Sequence, residues 1–202
     1  MIDKIIIASN NEHKVREFKR ILDLYDVTLV TQKELNIEDI EETGLSFLEN
    51  AILKARNASK KSGLPAISDD SGIEVDALQG RPGIYSARYS GKDATDEKNN
   101  KLLLKEMESF GKDQRTARYQ CVIAFVNRYD DPMPKTFYGT WEGYIAEKPS
   151  GSNGFGYDPL FYLPEHSCTS AELTKEKKNK ISHRAKALVL FQKYWEDLNT
   201  NG

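Results

Sequence analysis

The chain has 202 residues, 39% of them apolar and 30% charged, with 29 basic side chains against 31 acidic ones and a net charge of −2. Those proportions exclude a disordered or collagenous chain, and they lack the basic excess of a general nucleic-acid binder. At this length a single domain, plain or bilobed, can bury a core without a disulfide or metal staple. The two cysteines, Cys121 and Cys168, form no Cys-x-x-Cys or Cys/His group. Cys121 lies in an apolar run and reads as a small core residue. The isoleucines Ile5-Ile6-Ile7 are too short a run for a signal core or a membrane span. No membrane or nucleic-acid partner is expected, and the expected compartment is the cytoplasm.

Ile5 to Ala8 is short, β-branched and apolar, as a buried strand would be. Ser9-Asn10-Asn11 then supplies helix-start residues, and Val15, Phe18, Leu22 and Tyr25 follow at helical spacing. Val27 to Thr31 reads as a second strand, and the acidic, aperiodic residues 32–45 as a loop. Ser46-Phe47-Leu48-Glu49 has the form of a capping box. Behind it Phe47, Ala51, Ala55 and Ala58 make an apolar stripe, with Asn50, Lys54 and Asn57 on another face, and Gly63 closes the helix. Pro65 to Ser68 and Ile73 to Val75 read as two short strands on either side of Asp69-Asp70-Ser71-Gly72. Residues 80–93 are loop-like, Thr95 to Ser109 helical, and Arg118 to Tyr129 and Lys135 to Glu147 long strands joined by Asp131-Pro132-Met133-Pro134. Residues 151–159 form a glycine-rich loop, and Ser182 to Leu198 a final helix. Strands alternating with helices predict an α/β fold, and the hairpin makes its sheet mixed.

Four segments carry chemistry. In SNNEHK (Ser9, Asn10, Asn11, Glu12, His13, Lys14) a helix start offers free N–H groups and Lys14 a full charge, which suits a phosphate. Ordinary capping would also explain it, and no Walker A pattern is present. In residues 41–59, Glu41 and Glu42 precede a helix from which Lys54 projects. Asp69 and Asp70 are hard oxygen ligands of the kind Mg²⁺ takes one or two of, beside substrate phosphates and water. An Asx-turn is the alternative. In GSNGFGYDP (151–159), glycines flank Phe155 and leave its ring open to stack on a flat ligand. In residues 172–188, His183 and Arg184 occupy a helix first turn where acids are favoured, which fits donors aimed at a ligand.

In this order, SNNEHK, EETGLSFLENAILKA, DDSGIEVDALQGRPGIYSARYSG, GSNGFGYDPLF and ELTKEKKNKISHRAKAL resemble the inosine/xanthosine triphosphate pyrophosphatases over nearly the whole chain. The resemblance implies one bilobed domain over 1–202, an elongated mixed β-sheet flanked by helices, with a central cleft. It also implies a homodimer, Mg²⁺ dependence, and hydrolysis of ITP, dITP and XTP to the monophosphate and pyrophosphate, clearing the nucleotide pool of non-standard purines. By carry-over, Ser9, Asn10 and Lys14 hold the phosphates, with Asn11, Glu12 and His13 in the same motif and Lys54 assisting. Asp70 binds the metal and is the catalytic centre, with Asp69 beside it, and Ser71 contacts substrate. Phe155 stacks on the base, in a loop with Gly156 and Tyr157. Asp158, Lys178, His183 and Arg184 read the base edge. Glu41 is the favoured second metal ligand, with Glu42 adjacent to it. Asn10 stands where relatives often have glycine, which leaves open which side chains touch phosphate. A 6-keto purine offers an acceptor to such donors where adenine offers an amino group. Two other readings remain: a pyrophosphatase with another base preference, and a nucleotide- or RNA-binding module, whose paired acids would repel a phosphate backbone.

Overall fold

The structure is a computed structural model and describes residues 2–200. Its elements in chain order are β1 (Lys4–Ile7), α1 (Glu12–Leu22), β2 (Thr28–Thr31), α2 (Phe47–Ser62), β3 (Ala66–Val75), α3 (Asp96–Glu106), β4 (Thr116–Val126), β5 (Lys135–Ile145), β6 (Phe161–Leu163), β7 (Cys168–Thr169), α4 (Lys175–Ile181) and α5 (His183–Thr200). The strands form one sheet in the order β2-β1-β3-β4-β5-β6-β7. β1 runs parallel to β2 and β3, whereas β6 is antiparallel to β5 and β7, so the sheet is mixed as the pattern predicts. The chain packs as two compact units. One holds the residues through Asp70, Cys121–Tyr138 and the chain from Ala187 on; the other holds Ser71–Gln120 and Gly139–Lys186.

In the first unit the period-two alternation of a strand sorts side chains between two faces. Ile5, Ile7 and Ile67 join Phe18 of α1 and Phe191 and Trp195 of α5 in one buried cluster. Ile6, Ala8 and Ala66 join Ala51, Ala55 and Ala58 of α2 in another. The small alanine stripe lets α2 lie close on the sheet. Ser46 starts that helix by accepting from Glu49 N, and Gly63, at φ +72°, ends it in the left-handed conformation that glycine adopts without a Cβ penalty. Cys121 is buried in the first cluster. The second unit has its own core, with Leu103 and Met107 against Tyr119, Trp141, Tyr157 and Phe161.

One expectation is corrected. Asp69-Asp70-Ser71-Gly72 is neither a turn nor a break between two strands, because β3 runs through it for ten residues. Burial decides this: Ser68 is fully buried, with its hydroxyl donating to Ala51 O at 2.5 Å, and the strand's interior position overrides a local preference for turning. Residues 175–181 form α4, capped by Thr174. The short strands β6 and β7 carry no signal of their own in the sequence.

Candidate active site

β3 extends past the carboxyl end of β1, which stops at Ile7 opposite Ile67. Such strand ends are where ligands bind in open α/β sheets. Asp69 and Asp70 lie just beyond, and the pleat sends their carboxylates to opposite faces. On the α1 face Asp69 Oδ2 meets Lys14 Nζ at 3.0 Å. On the α2 face Asp70 Oδ1 meets Lys54 Nζ at 2.8 Å, and the same ammonium reaches Glu42 Oε1 at 2.8 Å. The two aspartates therefore do not share a site as side-by-side carboxylates; each has its own lysine. Glu42 rather than Glu41 stands at Lys54, and Glu41 is exposed. The segment bearing Glu42 is tied to α2 by Gly44 N donating to Asn50 Oδ1 at 2.8 Å.

Asp69 and Asp70 are 1% and 6% exposed, so the charges sit in poorly solvated surroundings. Burial pushes the Asp70 carboxyl above its ordinary range, and Glu42 adds to the push, while Lys54 opposes it. Burial alone would lower the Lys54 ammonium, but Asp70, Asp69 and Glu42 together outweigh it and hold it above its ordinary value. In these ion pairs three carboxylates, Asp69, Asp70 and Glu42, meet two ammonium groups, Lys14 and Lys54, so acids outnumber bases in them.

That excess is what a divalent cation would neutralise. Asp70 Oδ2 is buried and has no hydrogen-bond partner among the described residues. The described residues gather no group of three or more His, Cys, Asp or Glu side chains into a complete cage. Mg²⁺ asks for less, taking one or two carboxylates and completing its shell with phosphate and water. Asp70 and Glu42 fit that requirement.

In SNNEHK the side chains near the helix start have structural partners. Asn11 is the N-cap of α1, accepting from His13 N at 2.9 Å and Lys14 N at 3.3 Å, and Ser9 Oγ accepts from Asn11 N. Asn10, Glu12 and His13 are exposed.

The second unit holds the other predicted residues. Asp158 is buried at 2% exposure and accepts from Phe155 N at 2.8 Å, Ser170 Oγ at 2.8 Å, Lys178 Nζ, and at the limit of reach from Tyr119 OH. Its oxygens hold the glycine loop and do not project from it. A Cβ on Gly154, at φ +81°, would collide with the Asp158 carboxylate, so this position requires glycine. Lys178 Nζ lies 5.0 Å from the Phe155 ring centroid, and that ring is 38% exposed beside a cavity of about 490 Å³. The buried Tyr157 donates its hydroxyl to Ser86 O, a core role.

Ser182 ends α4 and caps α5 by accepting from Ala185 N. His183 and Arg184 begin α5 and are both buried. His183 stacks on Tyr119 at 4.6 Å and 9°, and Arg184 Nη2 donates to Ser71 Oγ at 2.8 Å. Tyr119, Ser170 and Asn50 are supporting residues that the sequence reading does not single out as site residues. Tyr119 lies in a long alternating strand and Ser170 in a short turn, where nothing local marks them. Asn50 shows only as a polar residue on the Lys54 face of its helix.

Known sequences and structures resemble this chain over nearly its whole length. The Ham1 family profile matches residues 5–194. A dITP/XTP pyrophosphatase of Photorhabdus laumondii is 52% identical over 189 residues, 94% of this chain and 96% of the relative. The dITP/XTP pyrophosphatase of Escherichia coli K12 is 51% identical over the same shares. The structure of a HAM1 protein from Coxiella burnetii superposes with a TM-score of 0.93 at 45% identity, covering 98% of this chain and all of that one. The Staphylococcus aureus Ham1 protein gives 0.88 at 45% identity over 96% of this chain and 98% of its own. Matched from its first strand into its last helix, in sequence and in fold, this chain belongs to the Ham1 family.

Proposed function

We infer that this chain is a nucleoside triphosphate pyrophosphatase that hydrolyses dITP, XTP and ITP to the monophosphate and pyrophosphate. The relatives bearing that activity in their names support the reaction. The observation that carries the chemistry is the gathering of three carboxylates, buried Asp69 and Asp70 and partly exposed Glu42, on the two ammonium groups of Lys14 and Lys54. Bare acids repel a triphosphate. Acids that hold a cation attract one.

Asp70 and Glu42 would hold Mg²⁺, which supplies positive charge to the phosphates and the departing pyrophosphate. Lys54, fixed between those two acids, presents a cation whose charge is secured by its surroundings. Lys14 does the same from the face of Asp69. Asp70, with one oxygen free of hydrogen bonds among the described residues, is the group that orients water toward the α-phosphorus. The reaction needs positioning and charge neutralisation more than covalent catalysis. Phe155 offers its half-open ring to the purine, and stacking of this kind contributes about 1–3 kcal/mol. Arg184 and His183 serve base selection, with Ser71 beside Arg184. Asp158 acts as a positioning residue for the loop. A homodimer, expected from the resemblance, is checked by light scattering.

The test is pyrophosphate release from dITP, XTP and ITP beside dATP and dGTP, with Mg²⁺ and with EDTA. Release from dITP, XTP and ITP well above that from dATP and dGTP, and abolished by EDTA, supports the reading. Equal rates on all five, or rates unchanged by EDTA, refute the base preference and the metal respectively.

A further inference from the structure

The loop that carries Phe155 is held from a second side by α3. Gly156 N donates to Asp96 Oδ2 at 2.6 Å, and Gly156 O accepts from Asn100 Nδ2 at 2.8 Å. Asp96 and Asn100 are four residues apart and therefore lie on one face of the helix. Asn100 Nδ2 also donates to Asp96 O at 2.8 Å, so two carbonyl oxygens converge on it and fix the orientation of that amide. On the other side Phe155 N is taken by Asp158. Three polar groups of the backbone, Phe155 N, Gly156 N and Gly156 O, are thus held by three side chains. Gly154 and Gly156, at φ +81° and +62°, would otherwise leave Phe155 between two of the most permissive residues in the chain.

We propose that Asp96 and Asn100 are positioning residues for base recognition: together they grip both polar groups of Gly156 and hold the Phe155 ring ready to stack. The proposal rests on the pyrophosphatase reading, because it assigns Phe155 to the purine. The role assigned to both is positioning of the loop, not contact with substrate. Their effect is to remove, before binding, the backbone freedom that the flanking glycines would otherwise lose on binding. Because the base is held alike in ground and transition states, loosening the grip should raise KM and spare kcat.

The test compares the native protein with Asp96→Ala, Asp96→Asn, Asn100→Asp and Glu97→Ala. The asparagine at 96 still offers an oxygen to Gly156 N. The aspartate at 100 is isosteric but turns an oxygen toward two carbonyls. Glu97 is a first-turn acid of the same helix outside both bonds, so it controls for helix stability. The readouts are amide exchange at Gly156, KM and kcat on ITP with Mg²⁺, and binding of IMP and of pyrophosphate by calorimetry. Asp96→Ala and Asn100→Asp should speed exchange at Gly156 and raise both the KM for ITP and the Kd for IMP about tenfold, the scale of one lost charge-assisted or buried hydrogen bond. Pyrophosphate affinity should be unchanged, and kcat should stay within about threefold if only uniform binding is lost. Asp96→Asn and Glu97→Ala should behave as native. Equal weakening of IMP and pyrophosphate, the same loss in Glu97→Ala as in Asp96→Ala, or native IMP binding in both disrupting variants would overturn the proposal alone. A native protein that releases no pyrophosphate from ITP would overturn the functional reading and the proposal with it.

Discussion

Replacing Lys54 with methionine removes the ammonium that stands 2.8 Å from both Asp70 and Glu42 while keeping much of the side-chain volume. The Lys54 and Asp70 side chains are 16% and 8% exposed, so water screens them little. Deleting one partner of such a pair generally costs about 3–5 kcal/mol, because the other charge is left buried and unpaired. Two features set the cost at the lower end. Glu42 is 25% exposed and can turn to water. Asp70, already pushed above its ordinary 3.8 by burial, can take up a proton once Lys54 no longer opposes that push. A group whose folded pKa is raised stabilises the protein below its unfolded value and loses that contribution as pH rises through the folded value. The loss in this variant is therefore greatest at pH 8 and shrinks toward pH 5. For a chain of this length, about 3 kcal/mol lowers Tm by roughly 6–12 °C. Thermal or urea unfolding, followed by fluorescence of Trp195 in the same unit, measures it in EDTA at both pH values. Added Mg²⁺ should restore part of the loss by binding the freed carboxylates. A variant within about 1 kcal/mol of native at pH 8, or one equally destabilised at both pH values, would refute the account of a buried Asp70 carboxylate left without its cation.

Asp70→Asn should lower turnover by about 10²–10⁴-fold, the usual worth of a positioned acid or base. Its stability should stay within about 1 kcal/mol of native, since asparagine keeps an acceptor for Lys54 and sheds a charge that burial disfavours; near-normal turnover would unseat Asp70 from both roles. Gly44→Ala places a Cβ 2.7 Å from Asn50 Oδ1 and from Glu49 Cβ, so the segment bearing Glu42 must shift. Overpacking of this kind costs about 1–3 kcal/mol, and the Mg²⁺ concentration for half-maximal activity should rise; an unchanged Mg²⁺ requirement would separate Glu42 from the metal. Asp131 is buried, which disfavours its charge, but N–H donors from Asn127 and Met133 at 3.0 and 2.9 Å prevail and hold its carboxyl below the ordinary range. A lowered folded pKa adds stability above the unfolded value that is lost as pH falls through the folded one. Asp131→Ala should therefore cost about 1–3 kcal/mol at neutral pH, and its chevron or melting gap from native should close in acid.

Much of the scaffold is legible along the chain because local periodicity follows the faces the core buries. Ile5-Ile6-Ile7 reads as a buried strand, and its alternate residues do enter clusters on both faces. The alanine stripe of α2 and the caps at Ser46 and Ser182 sit where their residue types place them. The candidate residues were legible too, as types in an order, but not their partners. Asp69-Asp70-Ser71-Gly72 has the composition of a turn and is the middle of a ten-residue strand. Being in a strand, its two acids diverge, one to Lys14 and one to Lys54, which no reading of adjacent letters contains.

Choice between near-identical neighbours also belonged to the fold. Glu41 and Glu42 are equivalent in sequence, and only the path of the loop tied by Gly44 and Asn50 brings Glu42 to Lys54. Asp158, expected at the base edge, is turned inward by four donors, and the grip of Asp96 and Asn100 on Gly156 spans some sixty positions of chain. By itself the sequence determined which residues carry charge, which are apolar and at what period, and so the elements and the chemical inventory of the site. The tertiary structure alone decided which carboxylate meets which cation, because that depends on the side to which a pleat or loop turns each side chain, and long-range packing sets that direction.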